Sequence, residues 1–425
     1  MSDKDRDKKR NGAVLSWCLY DWADSAFATT VMAAVLPVYY SQVAGVNLPG
    51  NTATVYWGYT VVLALVISAL LAPVMGAIAD YSGIKKRLLL TFAALGIFAT
   101  ALLYYVTTGD WLTASLFFIL GNVGFAMSEV FYNALLPHVA DPSQIDRVSV
   151  KGYALGYLGG GILLAINIAM IELMEDKMLA TRLSFITVSV WWAVFTIPLI
   201  LNVKEPPARR FGSESINPVT AGFNRLLKTF SELRSYRQLF LFLAAFWVYN
   251  DGIGTIIKMA TIYGAEIGIG QTDLIGALLM TQFVGIPFSF AFGRLAKITG
   301  AKNAILFGLF VYTLISIGGY FMETALHFWV LAFFVGTVQG GTQALSRSLF
   351  GTMLPREKTA EFFGFYGMSS KFAGIVGPLV FAVVSQLTGS SRLSIVSLIL
   401  FFILGAYLLS RVDVEKGVRA AMNKA

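Results

Sequence analysis

The sequence predicts an all-α polytopic membrane protein, with twelve transmembrane helices in two pseudo-symmetric six-helix bundles. Of its 425 residues, 56% are hydrophobic and 13% are charged, whereas soluble domains contain roughly 25% charged residues. Apolar stretches of membrane-spanning length, about 17–25 residues, recur along the whole chain. A pattern of glycines, lysines and prolines in the first half also recurs in the second half. These three observations together indicate the fold class.

Twelve apolar stretches are predicted to cross the bilayer, and the first is long enough to tilt or bend. Because the number of spans is even, both ends of the chain are expected on one side of the membrane. The predicted spans cover residues 14–44, 53–79, 86–108, 112–139, 150–173, 182–203, 238–268, 273–297, 302–322, 326–354, 362–387 and 392–411.

One long polar segment divides the spans into two groups of six. It contains apolar residues at helical spacing from Phe223 to Leu233, which predicts an amphipathic helix on the membrane surface. Tethering the two halves is the expected role of this helix, and regulation is the alternative. The predicted parts are an N-terminal tail at 1–13, a first bundle at 14–203, a linker at 204–237, a second bundle at 238–411 and a C-terminal tail at 412–425.

An internal repeat relates the two halves. Three positions around the loop after the second span recur 217 residues later, after the eighth span. A Leu-Pro pair at the end of the fourth span and two glycines in the fifth recur with an offset of 218, so the halves are predicted to be copies related by an axis along the membrane normal. The matched positions are Gly76, Gly83 and Lys85 with Gly293, Gly300 and Lys302; Leu136–Pro137 with Leu354–Pro355; and Gly156 and Gly159 with Gly374 and Gly377.

The basic residues fall mainly on one side of the predicted membrane. Of the 32 Lys and Arg residues, 26 lie in or next to the tails and loops of one side, and only Lys177, Arg182 and Arg392 lie on the other. The last three, Lys258, Arg347 and Lys371, lie within predicted spans. This asymmetry is the positive-inside pattern and predicts that both termini are cytoplasmic. The net charge of +8 is spread over short loops, rather than gathered in the contiguous patch that nucleic acid binding requires.

Few residues are available for covalent, metal or nucleotide chemistry. Cys18 is the single cysteine, and His138 and His327 are the only histidines, so no disulfide, metal site or cofactor is expected. No G-x-x-x-x-G-K-[ST] sequence occurs, which argues against ATP as the direct energy source. No nucleophile–base constellation stands out, so an enzyme is not expected. The first span is too long and too acidic for a cleaved signal peptide.

The loop after the second span carries a motif with a clear physical logic. Its acid suits the N-terminus of a facing helix or a cation, its second glycine permits a tight turn, and its cations suit an anionic membrane leaflet. In the second copy, Lys297 replaces the acid. The motif, G-x-x-x-D-x-x-G-x-K-K-R, consists of Gly76, Asp80, Gly83, Lys85, Lys86 and Arg87.

This loop resembles the signature of the major facilitator superfamily, which implies that it latches the cytoplasmic side during alternating access. Six further stretches resemble the vacuole-effluxer-like branch of that superfamily: YDWADSAFATTVMAAVLPVYY, FYNALLPHVAD, GYALGYLGGG, YNDGIGT, GGTQALSRSLF and EFFGFYG. The resemblance covers essentially the whole chain and implies the major facilitator fold. Eukaryotic members of the branch are autophagy-associated vacuolar permeases implicated in amino-acid efflux. The compact chain with short loops is similar in style to the bacterial members, which implies the cytoplasmic (inner) membrane of a bacterium.

Ionisable side chains inside the predicted spans are the candidate functional residues, because a charged carboxylate at mid-bilayer costs roughly 2.5–3.5 kcal/mol. Asp21 and Asp24 share one face of the first span, and Asp251 lies at a comparable depth in the seventh. The resemblance implies a central cavity lined by the first, fourth, seventh and tenth spans, toward which these acids are expected to face. The other cavity candidates are Glu129, Asn133, Asn250, Lys258, Gln282, Gln343, Arg347 and Lys371.

In the functional interpretation, the buried acids carry protons and the bases hold an anionic group of the substrate. Burial favours the neutral form of a carboxyl group and a nearby cation favours the charged form, so alternation between these environments would load and release a proton. The alternative is that some of these residues have structural roles. Glu129 and Arg347 suit an ion pair at a cytoplasmic gate, and Gln282 suits a hydrogen bond between helices.

The sequence therefore predicts a secondary active transporter that exports a small amino-acid-like or peptide-like solute by alternating access. Protons are the expected coupling ion, and sodium is the alternative. The expected partners are the solute, the coupling ion and membrane lipid, and the chain is expected to act as a monomer. Two other functions stay open: an exporter or flippase of lipid-like or drug-like amphiphiles, and a receptor or scaffold that keeps the fold without transport.

Overall fold

The computed structural model describes residues 3–140, 145–205, 227, 230–354, 362, 365–366 and 374–423, and these residues are almost entirely helical. The α-helices are α1 (Asp3–Ala26), α2 (Leu36–Tyr39), α3 (Thr52–Ser82), α4 (Lys85–Leu102), α5 (Trp111–Val139), α6 (Ile145–Leu173), α7 (Lys177–Asn202), α8 (Arg237–Glu266), α9 (Gln271–Thr299), α10 (Ala301–Tyr320), α11 (Ala325–Thr352), α12 (Val376–Thr388), α13 (Ser391–Ser397), α14 (Ile399–Ser410) and α15 (Val414–Asn423).

The first span departs from regular α-helical geometry. Two π-helical segments, Phe27–Val35 and Tyr40–Ala44, flank the short helix α2. In a π-helix each N–H bonds to the carbonyl five residues earlier, which widens the turn, and such segments are frequent at functional sites. The long first span is therefore a continuous apolar segment of mixed helix type over Asn11–Ala44.

Within the described residues, ten helical segments are long and apolar enough to cross a membrane. An eleventh candidate, α9, is bent by 45° between Gln271–Phe288 and Ala291–Thr299, and α12 is a shorter apolar helix. In chain order these segments correspond to the twelve predicted spans, although the eleventh, predicted at 362–387, is described only in part.

Glycines and short polar side chains define several helix ends. Asp176 accepts a hydrogen bond from the Leu179 N–H at 2.9 Å and caps the start of α7. Gly83 and Gly300, which precede α4 and α10, have φ angles of +64° and +85°. Only glycine adopts this region at no steric cost, so both copies of the repeated loop use a glycine to reverse the chain.

The chain divides into two compact units. In the first, comprising residues 1–47 and 67–223, α1 packs against α6 and α7, and α4 packs against α5. In the second, comprising residues 48–66 and 224–425, α8 packs against α14, and α11 packs against both α9 and α10. The first part of α3 is thus grouped with the C-terminal helices, whereas the sequence assigns this helix to the first bundle. The predicted domain boundaries stay a prediction.

Large apolar side chains are exposed along the helices. Leu201, in the last turn of the span Lys177–Asn202, is 74% exposed. Leu400, in the middle of the span Ser391–Ser410, is 68% exposed. Many other large hydrophobic side chains of the described helices are exposed as well, which is unusual for a soluble monomer. Lipid chains are the solvent that matches them.

Candidate functional site

In the first unit, two acidic side chains of α1 lie inside the membrane-spanning region. Asp24 is 1% exposed and Asp21 is partly buried. The Ser25 hydroxyl donates to Asp21 Oδ1 at 3.2 Å, and the Tyr132 hydroxyl donates to Asp21 Oδ2 at 3.4 Å. Both carboxylate oxygens of Asp21 therefore face hydroxyl groups, which hold the carboxylate in one orientation.

Aromatic packing supports Tyr132 from α1. The ring of Trp17 stacks on the Tyr132 ring, with the centroids 4.1 Å apart. Trp17 also donates from Nε1 to the backbone carbonyl of Tyr132 at 2.9 Å. Glu129, one turn earlier on α5, interacts electrostatically with Asp21. The first unit thus brings together the predicted acids of the first and fourth spans around one tyrosine.

In the second unit, Asp251 lies on α8 and is 3% exposed. Its carboxylate accepts hydrogen bonds from the backbone N–H groups of Val376 and Gly377 at the start of α12. The positive end of a helix dipole favours a carboxylate at this place. The Thr255 hydroxyl donates to the Asp251 backbone carbonyl at 2.7 Å, and Asp251 Oδ1 has no hydrogen-bond partner within the described structure.

Lys258 is the cation of the second unit that lies closest to this acid in sequence, two turns along α8. Its Nζ lies 3.5 Å from the position that a Cβ atom would take at Gly254, so the side chain extends back along its own helix. Lys258 and Asp251 interact electrostatically. The backbone carbonyl of Lys258 accepts a hydrogen bond from Trp57 Nε1 at 3.3 Å.

The remaining predicted residues differ in exposure. Asn133 and Arg347 are exposed, whereas Asn250, Gln282 and Gln343 are partly buried. Across the described part of the chain, the four amide side chains make no hydrogen bond. Lys371 and the side chain of Asp80 lie outside the described residues. Among the described residues, no three His, Cys, Asp or Glu side chains lie close enough together to hold a metal ion.

The loop motif after the second span forms a hydrogen-bonded clamp between the start of α4 and the end of α7. Lys86 Nζ donates to the backbone carbonyls of Ile200 at 2.7 Å and of Val203 at 2.6 Å. In return, the Glu205 carboxylate accepts from the backbone N–H groups of Lys86 at 2.7 Å and of Arg87 at 3.1 Å. Each charged side chain satisfies backbone groups that the other helix end leaves without an intrahelical partner.

The second unit contains half of the same clamp. Lys302 Nζ donates to the backbone carbonyls of Ser410 at 2.7 Å and of Val412 at 2.8 Å, at the end of α14. By these contacts Lys302 corresponds to Lys86, although the sequence repeat aligns it with Lys85. Both lysines bind backbone carbonyls at the end of the last helix of their repeat. The sequence analysis expected the loop cations to contact the anionic lipid leaflet and did not predict this contact.

A repeated pattern in the first and seventh spans escaped the sequence analysis. Trp17, Asp21 and Ser25 recur as Trp247, Asp251 and Thr255, each 230 residues later. The other repeats have offsets of 217 and 218. The offset differs because the chain from Ser25 to Gly76 covers 51 positions, whereas the matching chain from Thr255 to Gly293 covers only 38. A search at one offset finds the loops and misses this pattern, Trp-x-x-x-Asp-x-x-x-Ser/Thr.

Comparison with known proteins gives the family. A family model described as "Vacuole effluxer Atg22 like" matches residues 8–422. The chain belongs to the Atg22-like family. One relative, the "Uncharacterized MFS-type transporter YxiO" of Bacillus subtilis, is 42% identical over 409 residues, which cover 94% of each chain. Autophagy-related protein 22-1 of Aspergillus niger is 26% identical over 460 residues, which cover 88% of this chain and 75% of that protein.

The fold of this Atg22-like chain is that of the major facilitator superfamily. The xylose transporter XylE from E. coli matches it with a TM-score of 0.66 at 12% identity, covering 97% of this chain and 98% of that one. At this identity the likeness shows the fold alone. Together these findings confirm the predicted family and fold class and make the Atg22-like chain an integral membrane transporter rather than an enzyme.

Proposed function

We propose that this Atg22-like transporter exports a small amino-acid-like or peptide-like solute by alternating access and couples the movement to protons. In this proposal Asp21, Asp24 and Asp251 carry the protons. Lys258, together with Arg347 and Lys371, binds an anionic group of the solute. The transporter acts as a monomer in the cytoplasmic membrane of a bacterium, with both termini in the cytoplasm.

The burial of an acid in the first helix of each repeat is the observation that carries this proposal. Asp24 is 1% exposed and Asp251 is 3% exposed, each within a membrane-spanning helix. A charged carboxylate at this depth costs roughly 2.5–3.5 kcal/mol, and the cost falls when the group is neutral. A role that requires the group to gain and lose a proton accounts for the presence of these acids in both repeats.

The chemistry of the charged side chains supports an amino-acid-like solute. Acidic groups suit an ammonium group, and the ammonium of Lys258 suits a carboxylate, as in charge-assisted hydrogen bonds generally. The description of the family as vacuole effluxers supports export as the direction. The bacterial source of the relative YxiO and the excess of basic residues in the loops of one side support the membrane and the orientation.

Transport by purified protein in proteoliposomes tests the proposal. Counterflow with a panel of labelled amino acids and dipeptides identifies the solute class, and an imposed pH gradient then tests the coupling. We expect gradient-driven uptake to fall by about tenfold or more in each of the variants Asp21→Asn, Asp24→Asn and Asp251→Asn. A rise of about 1.36 kcal/mol in the activation free energy of transport is enough to lower its rate tenfold. Exchange at equal pH on both sides is expected to persist, because it needs no net proton transfer.

A surface carboxylate provides the matched control. Glu415 on α15 is 83% exposed, so Glu415→Gln is expected to leave both assays unchanged. Wild-type driven uptake in all three aspartate variants would contradict the assignment of the proton carriers. Uptake that follows a sodium gradient and ignores the pH gradient would replace the proton by sodium as the coupling ion.

A further inference from the structure

The repeated pattern in the first and seventh spans places each aspartate against a glycine of another helix. In both copies, the aspartate is followed four residues later by a hydroxyl side chain, Ser25 or Thr255. In both copies, the glycine lies on the fifth helix of its six, within α6 or at the start of α12. The two aspartates therefore meet the fifth helix of their repeats in the same way, although the sequence repeat aligns Gly377 with Gly159 rather than with Gly156.

In the first copy, the carboxylate of Asp21 occupies the space where a side chain of residue 156 would lie. A Cβ atom built on Gly156 would be 2.5 Å from Asp21 Oδ1, 3.1 Å from its Cγ and 2.6 Å from Ser25 Oγ. These separations are shorter than van der Waals contact. Gly152, one turn earlier, stands in the same relation to the other oxygen, since its Cβ would be 3.2 Å from Asp21 Oδ2.

In the second copy, the same two groups meet Gly377. A Cβ atom built there would be 2.8 Å from Asp251 Oδ1 and would overlap the hydroxyl of Thr255. The backbone N–H of Gly377 donates to the Asp251 carboxylate. Asp251 Oδ1 has no hydrogen-bond partner within the described residues, although the side chain is only 3% exposed.

Close packing of helices explains other glycines of these segments but not this pair. A Cβ atom at Gly159, on the same helix as Gly156, would meet the backbone carbonyl and the ring of Trp22, as expected where two helix backbones approach closely. At Gly156 and Gly377, an added Cβ atom would instead meet an aspartate and the hydroxyl side chain four residues after it. The shared feature is polar, and it occurs in both repeats.

We infer that Gly156 and Gly377 are positioning residues for the two carboxylates, each leaving a slot on the fifth helix of its repeat that holds the acid against the backbone. A carboxylate held in this way changes its surroundings when that helix shifts along the first helix. The glycines thereby connect helix movement to the state of the acid. This inference rests on the proposed role of Asp21 and Asp251 as proton carriers.

Infrared spectroscopy of the full chain in lipid tests the positioning role without requiring a known solute. The C=O stretching band of protonated Asp21 is identified as the band that disappears in Asp21→Asn. Gly156→Ala is expected to shift this band, because the added methyl group displaces the carboxyl group from Ser25 and Tyr132. Gly161→Ala is the control, since a Cβ atom there would meet no atom within 4 Å, and the band is expected to stay in place.

The same comparison applies to the second copy. Gly377→Ala is expected to shift the band that disappears in Asp251→Asn and to leave the Asp21 band in place. In proteoliposomes, Gly156→Ala is expected to lower gradient-driven uptake of the labelled panel by about 10- to 100-fold, the cost of a misplacement near 1 Å, with a much smaller effect on exchange. A purely structural glycine would lower both assays together.

The outcomes separate the inference from the proposed function. An Asp21 band that does not move in Gly156→Ala overturns the positioning role, even if uptake is driven by protons. A shifted band without transport of any labelled solute leaves the positioning role standing and overturns the proposed function. Thermal unfolding in detergent shows whether Gly156→Ala folds. If it does not, Ser25→Ala decides, because it removes the donor to Asp21 Oδ1 without adding volume, and an unmoved band again overturns the inference.

Discussion

The carboxylate of Asp251 accepts hydrogen bonds from two backbone N–H groups at the start of α12. Because of these bonds, its contribution to stability can be measured separately from its proposed role as a proton carrier. Asparagine keeps an acceptor oxygen for these N–H groups and loses the ability to release a proton. Alanine loses both. The two substitutions therefore affect stability differently and proton coupling alike.

We predict that Asp251→Ala lowers the free energy of unfolding by about 0.5–2 kcal/mol, the usual cost of removing a side-chain cap from a helix start. Asp251→Asn is expected to change it by less than about 0.5 kcal/mol, because a hydrogen bond to the amide oxygen remains. Thermal unfolding of both variants in the same detergent measures the difference. Equal losses of stability in the two variants would contradict the capping role of the carboxylate.

A chain of hydrogen bonds joins the beginning of α3 to the C-terminal helices of the second unit. Asn51 Nδ2 donates to the Ser385 backbone carbonyl at 2.8 Å and to its hydroxyl at 2.7 Å. The Ser385 hydroxyl lies 2.8 Å from that of Ser391, which donates to Glu266 Oε2 at 2.7 Å. The sequence repeat assigns α3 to the first six helices, so the proposed alternating access is expected to break these bonds.

We predict that Asn51→Ala makes the neighbouring helix surface more accessible. Ala382 is fully buried and lies opposite Gly58 of α3, so a cysteine at position 382 in a Cys18→Ser background reports on this contact. Its labelling by a membrane-impermeant maleimide is expected to rise about fivefold, since the net worth of a hydrogen bond is about 1 kcal/mol. Thr52→Ala, which removes only a local bond to the Pro49 carbonyl, is the control. Unchanged labelling in Asn51→Ala would show that the chain does not hold the contact closed.

The sequence predicted the helices well where hydropathy alone decides them, as for α5 (Trp111–Val139) against the predicted 112–139. It did not predict the π-helical segment Phe27–Val35, because its small and apolar residues are equally compatible with an α-helix. The acids were found because their burial is costly in any membrane fold. The partners of Asp21 and Asp251 were missed, since several glycines on the fifth helix fit a packing role equally well and only coordinates show which one faces a carboxylate.

For the whole molecule, the side on which the C-terminus lies depends on the eleventh span. The described helix α12 contains 13 residues, which extend about 20 Å at 1.5 Å per residue, whereas the hydrocarbon core is about 30 Å thick. The predicted span starts at residue 362, and its first part lies outside the described residues. If the segment crosses completely, twelve spans leave both termini in the cytoplasm, as the distribution of Lys and Arg indicates. If it does not cross, the C-terminus lies on the opposite side.

Reporter fusions in a bacterium with a periplasm distinguish these two topologies. Alkaline phosphatase is active only after export, and green fluorescent protein reports the cytoplasm. We predict an active phosphatase when it is fused at Gly389, between α12 and α13, and an inactive one when it is fused after Ala425, with the opposite results for the fluorescent reporter. The reverse pattern at both positions would mean that the eleventh segment does not span the membrane. In that case the repeat would be broken in its second half, and the equivalence of the slots at Gly156 and Gly377 would not extend to their depth in the bilayer.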